Sequence, residues 1–314
     1  MTLYSNQSQI AQLQLKYGAC GSVSFFQHDD LIGLDIKNQQ AQARIFLQGA
    51  HLTKYELQSG QEIIWCSPDA SYEKSKAIRG GIPVCWPWFG DLSKNPDQVK
   101  RSICTSDVAA HGFARNLVWQ LSSIVESSQD ETLVTLSLHS SDYTKTYFPY
   151  DFELEIEFLI SDHLQLNWKV TNCSHDSFSY SAALHTYFSV DDVRENSVSG
   201  FSGLNYIDAL DEWSVCKQAG DIYFDREVDR IYQDTPSKFC INNSSEKRSV
   251  VVESSGSKSS VVWNPWVAKS KALSDFGDLD YLKMLCVETA NADRDFVTLQ
   301  QGQSQIMSIK ITTT

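Results

Sequence analysis

Long apolar runs are missing from this chain, and no stretch approaches the ~18 apolar residues of a membrane-spanning helix. The amino-terminal MTLYSNQSQIAQLQ has neither a basic leader nor an apolar segment, so no secretory signal is expected. Basic side chains are in deficit: 26 Lys and Arg against 39 Asp and Glu leave a net charge of −13. That deficit excludes general binding to nucleic acid or an anionic membrane, since both require a basic surface. It does not exclude a small anion held in a locally basic pocket. The eight cysteines (20, 66, 85, 104, 173, 216, 240 and 286) contain no C-x-x-C pair. In a chain of this length with no export signal they are expected to be reduced thiols, mostly buried as small hydrophobes, in a cytoplasmic protein. Several chemical signatures are absent too: no G-x-S-x-G elbow, no P-loop, no G-x-G-x-x-G after a strand and no H-E-x-x-H. The seven histidines form no H-x-H pair or Cys/His cluster with ligand spacing, so no metal site is expected.

What is present reads as a large β protein. A hydrophobic fraction of 42% excludes a disordered chain, and at this length folding buries roughly three quarters of the unfolded surface. The segment from Phe152 to Phe158 alternates apolar and acidic residues with period two, which describes a half-buried antiparallel strand. Leu164, Leu166, Trp168 and Val170 repeat the pattern after a Ser161-Asp162-His163 turn. Residues 32–36, 44–47, 133–138 and 307–311 read likewise, and 249–253 with 259–263 read as a second hairpin around Ser254–Lys258. Helical periodicity is scarce; residues 269–276 fit a short helix or an irregular loop. With no internal repeat and no linker, the expectation is all-β: one large antiparallel β-sandwich domain over residues 1–314, with few short helices.

Five segments break the rules of plain structure. IRGGIPVCWPWFG (78–90) holds two prolines that cannot donate to a central ladder, so it is an edge or a shaped loop. Its Arg79 either caps carbonyls or donates to an anion beside an aromatic wall. HGFARN sets His111 and Arg115 four residues apart around a glycine; in a turn the two converge, and otherwise they decorate the surface. In ALHTYF, His185 sits within an apolar stretch, which suits a satisfied core histidine or an imidazole tuned for acid–base work. VDRIY, with Asp229, fits an exposed strand. In YLKMLCVETAN, Leu282, Met284, Cys286 and Glu288 share a face. A carboxylate on that apolar face is costly to bury unpaired, which makes Glu288 the most suspicious acid in the chain.

Taken in order, IRGGIPVCWPWFG, HGFARNLVW, ALHTYF, VDRIY, WNPW and the DFGD…CVETAN stretch resemble the glucose-6-phosphate 1-epimerase family. These hexose-6-phosphate mutarotases belong to the aldose 1-epimerase, or galactose mutarotase-like, superfamily. The resemblance runs from about residue 30 to the carboxyl terminus. It implies a β-sandwich with a sugar cleft on one broad face, no metal and no organic cofactor. It also implies that His185 and Glu288 are the catalytic pair, that Arg79 and Arg115 bind substrate, that His111 contacts the sugar and that Asp229 accepts from a hydroxyl. Some relatives carry a glutamine just before the HGFAR histidine; here the residue is Ala110. The expected activity is anomerisation of a hexose 6-phosphate, foremost D-glucose 6-phosphate, by a monomer whose partner is that small molecule. The alternatives are a mutarotase of another or a neutral aldose, and a carbohydrate-binding or regulatory protein without turnover.

Overall fold

The computed structural model describes residues 2–243 and 248–314. Two large antiparallel sheets face each other. The first has nine strands, ordered 222–223, 196–199, 238–243, 248–255, 304–313, 164–172, 152–160, 131–139 and 120–128. The second is ordered 214–217, 205–208, 228–233, 259–264, 284–291, 182–184 and 84–85, with 187–189 also paired to 284–291. A four-stranded sheet (23–28, 31–37, 41–46, 51–57) and a two-stranded ribbon (178–180 with 297–299) complete the β structure.

The alternation read from the sequence places these strands. Phe152–Ile160 and Leu164–Asn172 pair from Phe152↔Asn172 to Ile160↔Leu164, and every second residue of each is buried. Leu154, Ile156, Phe158, Leu166 and Trp168 enter the core from one sheet; Leu184, Phe188, Val262, Leu285 and Val287 enter from the other. This interlocking of two inner faces is the sandwich.

The second expected hairpin is not one. Arg248–Ser255 pairs with Lys238–Asn243 and Ser304–Thr313, whereas Ser259–Asn264 pairs with Val228–Gln233 and Met284–Asn291. The turn between them carries the chain from one sheet to the other. Val252 therefore reaches the core from one side and Val262 from the opposite side. Gly256 makes the crossing at φ +77, where a Cβ would come within 1.9 Å of the Ile306 carbonyl oxygen. Local turn composition cannot distinguish a hairpin from such a crossing.

Helices are few. One spans Trp266–Ala272, and the chain from 273 to 276 is irregular. The helix Thr2–Tyr17 was not anticipated; Ile10, Leu13 and Tyr17 form a narrow stripe that packs on the core, and the Tyr17 hydroxyl donates to the Leu121 carbonyl (3.0 Å). No described helix is long and apolar enough to cross a membrane. All eight cysteines are free thiols, but only Cys85 and Cys286 are buried, and Cys104 and Cys173 are exposed. The expectation of mostly buried thiols therefore fails.

Candidate active site

The site is built on the strand Met284–Asn291, which is buried on both faces. Leu285 and Val287 point into the sandwich. The alternate residues face outward into two apolar groups. Met284 and Cys286 join Trp65, Tyr187, Trp263, Phe276 and Tyr281; Ala290 joins Cys85, Ala183, Ile231 and Val261. Glu288 lies between the two groups and is opposite Val261 in the ladder. Leu282 precedes the strand, in the 3-10 turn of residues 280–282, yet it packs against the same group as Met284 and Cys286.

His185 occupies the two-residue break between Ala182–Leu184 and Tyr187–Ser189, both of which pair with the Glu288 strand. Its main-chain N–H donates to the Pro83 carbonyl (3.0 Å), so the break is anchored. The imidazole Nε2 lies 3.3 Å from Glu288 Oε1, with the two side chains 11% and 1% exposed. Glu288 Oε2 and His185 Nδ1 are buried without a hydrogen-bond partner. The Tyr187 ring stacks on the imidazole, with centroids 4.8 Å apart and planes 15° from parallel.

His111 and Arg115 come from a turn held against the 78–90 segment. Gly112, at φ +67, lets the turn touch that segment: a Cβ there would meet the Trp86 carbonyl oxygen at 2.0 Å. Of the two sequence readings, convergence holds. The His111 ring is 5.5 Å from that of His185 and 5.1 Å from Phe89. Its Nδ1 accepts from the Gly90 N–H (3.3 Å), which leaves the proton of a neutral ring on Nε2 as a donor. Arg115 Nη2 donates to the Ala110 carbonyl (2.9 Å), while its Nε is buried and unpartnered. At Ala110 the main chain thus holds the arginine, and its short side chain is exposed. Arg79 is engaged already: Nε and Nη2 both donate to Asp275 Oδ1 at 3.2 Å.

Asp229 is on a central strand, not an exposed one. It sits opposite Trp263, which is opposite Cys286, which is opposite Tyr187, so the four form a row across the outer face. Lys269 Nζ lies 3.8 Å from the Asp229 carboxylate and 3.2 Å from Glu227.

The site's electrostatics follow from burial. Removal from water pushes the Glu288 carboxyl well above the ordinary carboxylate range, and the nearby Asp229 charge adds to the effect. Burial, then the Arg115 cation, pulls the His185 imidazole down to about 3. His111 is held neutral by burial and by Arg115, His185 and Arg79. Burial raises Asp229 to about 6 against the opposing pull of Lys269, with Glu227 and Asp208 adding to the rise. The site therefore favours a carboxylic acid beside a neutral imidazole.

All six residues singled out in the sequence surround this one stretch of the outer face. The chain's linear spacing concealed other participants. Tyr187 is two residues beyond His185, and Asp275, the partner of Arg79, lies in the DFGD stretch. Cys286 passed as one apolar residue among several; with His185 and Glu288 it forms the one grouping among the described residues whose ligand atoms (within 4.8 Å of one another) suit a metal ion. The WNPW motif is structural: Asn264 Nδ2 donates to the Tyr281 and Met284 carbonyls (2.8 and 2.9 Å), tying down the start of the Glu288 strand. Trp86 and Trp88 belong to the sandwich core, whereas the ring of Trp263 stands 6.2 Å from the imidazole.

Comparison with known proteins bears on the family and the fold. The aldose 1-epimerase family profile matches residues 33–312. A protein of Cenchrus ciliaris, provisionally named glucose-6-phosphate 1-epimerase, is 35% identical over 83% of this chain and 78% of its own. An Escherichia coli protein with the same provisional name is 34% identical over 90% and 91%. A crystal structure from Salmonella typhimurium, provisionally titled a mutarotase, superposes with a TM-score of 0.84 at 28% identity, covering 93% of this chain and 94% of that one. The galactose 1-epimerase of Lactobacillus acidophilus, at 14% identity and a TM-score of 0.68 over 93% and 98%, shares the fold. On the extent of these matches, this chain belongs to the aldose 1-epimerase family, whose members are epimerases built on an antiparallel β-sandwich.

Proposed function

We propose that the protein interconverts the α and β anomers of a hexose 6-phosphate, foremost D-glucose 6-phosphate, with His185 and Glu288 as the acid–base pair. The observation that carries this reading is the buried 3.3 Å contact between Nε2 and Oε1, with an unpartnered lone pair or N–H left on each group. Anomerisation opens the ring by breaking C1–O5, turns about C1–C2 and recloses on the other carbonyl face. Opening requires one group to take the C1 hydroxyl proton and another to protonate O5. A carboxyl and an imidazole sharing a single proton supply one acceptor and one donor. With the proton moved across the short contact, Glu288 is the base and His185 the acid; closure reverses the roles. Sugars mutarotate unaided in water, and each well-placed proton-transfer group contributes ~10²–10⁴ in rate, so the chemistry calls for neither metal nor covalent intermediate. The phosphate is assigned to the arginines because guanidinium forks donate paired charge-assisted bonds, and the relatives' names support the same substrate.

Polarimetry or exchange NMR, starting from α-glucose 6-phosphate and from α-glucose, tests the reading. Strong acceleration of the phosphorylated sugar with weak acceleration of glucose is expected. Equal acceleration makes this a mutarotase of neutral aldoses, and tight binding without acceleration makes it a carbohydrate-binding protein.

A second expectation concerns pH. The pair must carry one proton, and its macroscopic titrations belong to the pair. With His185 pulled to about 3 and Glu288 pushed well up, kcat should stay flat through neutral pH, with no alkaline limb at the ordinary imidazole value of ~6.5. Asp229 must be ionised to accept from a hydroxyl and protonates as pH falls through about 6, so kcat/KM should fall below that value. The substrate phosphate titrates in the same region; the limb assigned to Asp229 must therefore appear with glucose also. An acid limb that survives unchanged in Asp229→Asn would remove this role.

A further inference from the structure

His185, Cys286 and Glu288 bring nitrogen, sulfur and oxygen donors to one point. Cys286 and Glu288 are neighbours on the outer face of one strand, and His185 sits in the break of the strand pair alongside, leaving all three ligand atoms within 4.8 Å of one another. We propose that these three side chains bind a borderline-soft divalent cation, for which Zn2+ is the probe, and that the bound cation blocks the site. The blocking half rests on the function proposed above; the binding half stands without it.

Two observations carry the inference. Zinc bonds of about 2.0–2.3 Å in a tetrahedron place ligand atoms roughly 3.3–3.8 Å apart, and His185 Nε2 and Glu288 Oε1 already stand at 3.3 Å. Glu288 Oε2 and His185 Nδ1 are buried without a partner, so coordination through Nε2 and Oε1 has only to replace the contact between those two atoms. An imidazole, a thiolate and a carboxylate suit zinc better than magnesium or calcium, which prefer oxygen alone. Three protein ligands leave a fourth position open to water or a sugar oxygen. Binding releases the thiol proton of Cys286 and the carboxyl proton of Glu288 to the buffer, and nothing is oxidised or reduced. The bound ion occupies the lone pairs that must exchange protons with the sugar. Arg79 and Arg115 oppose a further cation, which points to reversible inhibition rather than a permanent structural site.

The test uses the full chain with Cys104→Ser and Cys173→Ser, since those two thiols are exposed. After treatment with EDTA and desalting, Co2+ should produce a thiolate-to-cobalt charge-transfer band that Zn2+ abolishes. Activity should be unchanged by EDTA and inhibited by micromolar Zn2+. Cys286→Ala, and Cys286→Ser should the first variant fold poorly, should lose the band and, in whatever activity each retains, weaken Zn2+ inhibition at least tenfold. Glu288→Gln should weaken Co2+ binding, as read by the spectrum alone. A band that persists in both Cys286 variants, or no band at all in the parent, overturns the site. A normal band in a protein that anomerises no sugar leaves the site standing and removes the mutarotase reading instead.

Discussion

Glu288→Gln and His185→Asn are each expected to lower kcat by about 10²–10⁴-fold, and combining them should cost little more than either alone. In the proposed mechanism the two groups, 3.3 Å apart, share one proton, so removing one leaves the other without its function, and residues that act as a unit are not additive. Fold loss is a separate question with a separate sign. A carboxyl whose folded-state pKa is raised binds its proton more tightly in the native state, so between the unfolded and folded pKa values the native state holds more protons. Stability then falls as pH rises through that window, because an ionised Glu288 would be a buried charge with only a neutral imidazole in contact with it. Glutamine carries no such charge. The variant should therefore be at least as stable as the parent at neutral pH, and its advantage should grow as pH increases. Thermal melts at two pH values together with turnover at saturating substrate measure both effects. Turnover near that of the parent in either single variant would sink the assignment of the pair.

That combination, inactive yet no less stable, reflects how the site is made. The outer face of the central sheet is lined by two apolar groups, and Glu288 is set in the gap between them. Alternation along CVETAN made this visible from the sequence: a period-two strand must put Glu288 on the face of Met284 and Cys286. The sandwich was legible for the same reason, since Phe152–Ile160 and Leu164–Asn172 repeat their pattern without interruption. Elements defined by distant partners were not legible. Ser254–Lys258 has the composition of a hairpin turn, but sheet membership is decided by pairing with Lys238–Asn243 and Met284–Asn291, which lie outside any local window. The Thr2–Tyr17 helix escaped because only a thin stripe of it touches the core. The residue types at the site came through as well, carried by ordered motifs, whereas their protonation did not. Burial sets the neutral state of His185 and Glu288, and burial depends on Trp65, Phe276 and Tyr281, which fold over the strand from elsewhere in the chain.

Arg115→Ala is expected to damage handling of the phosphorylated sugar selectively. Of the two arginines, Arg79 already spends Nε and Nη2 on Asp275, whereas Arg115 keeps a buried, unpartnered Nε and uses one Nη2 bond to hold itself to the Ala110 carbonyl. Arg115 thus has the spare donor capacity for a dianion. Losing a charge-assisted contact costs on the order of 1.5–3 kcal/mol, so kcat/KM for glucose 6-phosphate should fall roughly ten- to a hundredfold. Glucose never makes that contact, and its weaker turnover should barely change. Arg115→Lys keeps the charge without the fork and should fall between the two. A second readout distinguishes charge from shape. The Arg115 cation lowers the proton affinity of His185 and His111, so in Arg115→Ala kcat should begin to fall on the acid side at a higher pH than in the parent, as the pair takes up a second proton, and in Arg115→Lys this fall should stay near its place. Equal slowing of glucose and glucose 6-phosphate, with no movement of the limb, would make the arginine a scaffold for the His111 turn. The phosphate would then fall to Arg79 or to Lys269 and Lys271 on the short helix beside Asp229.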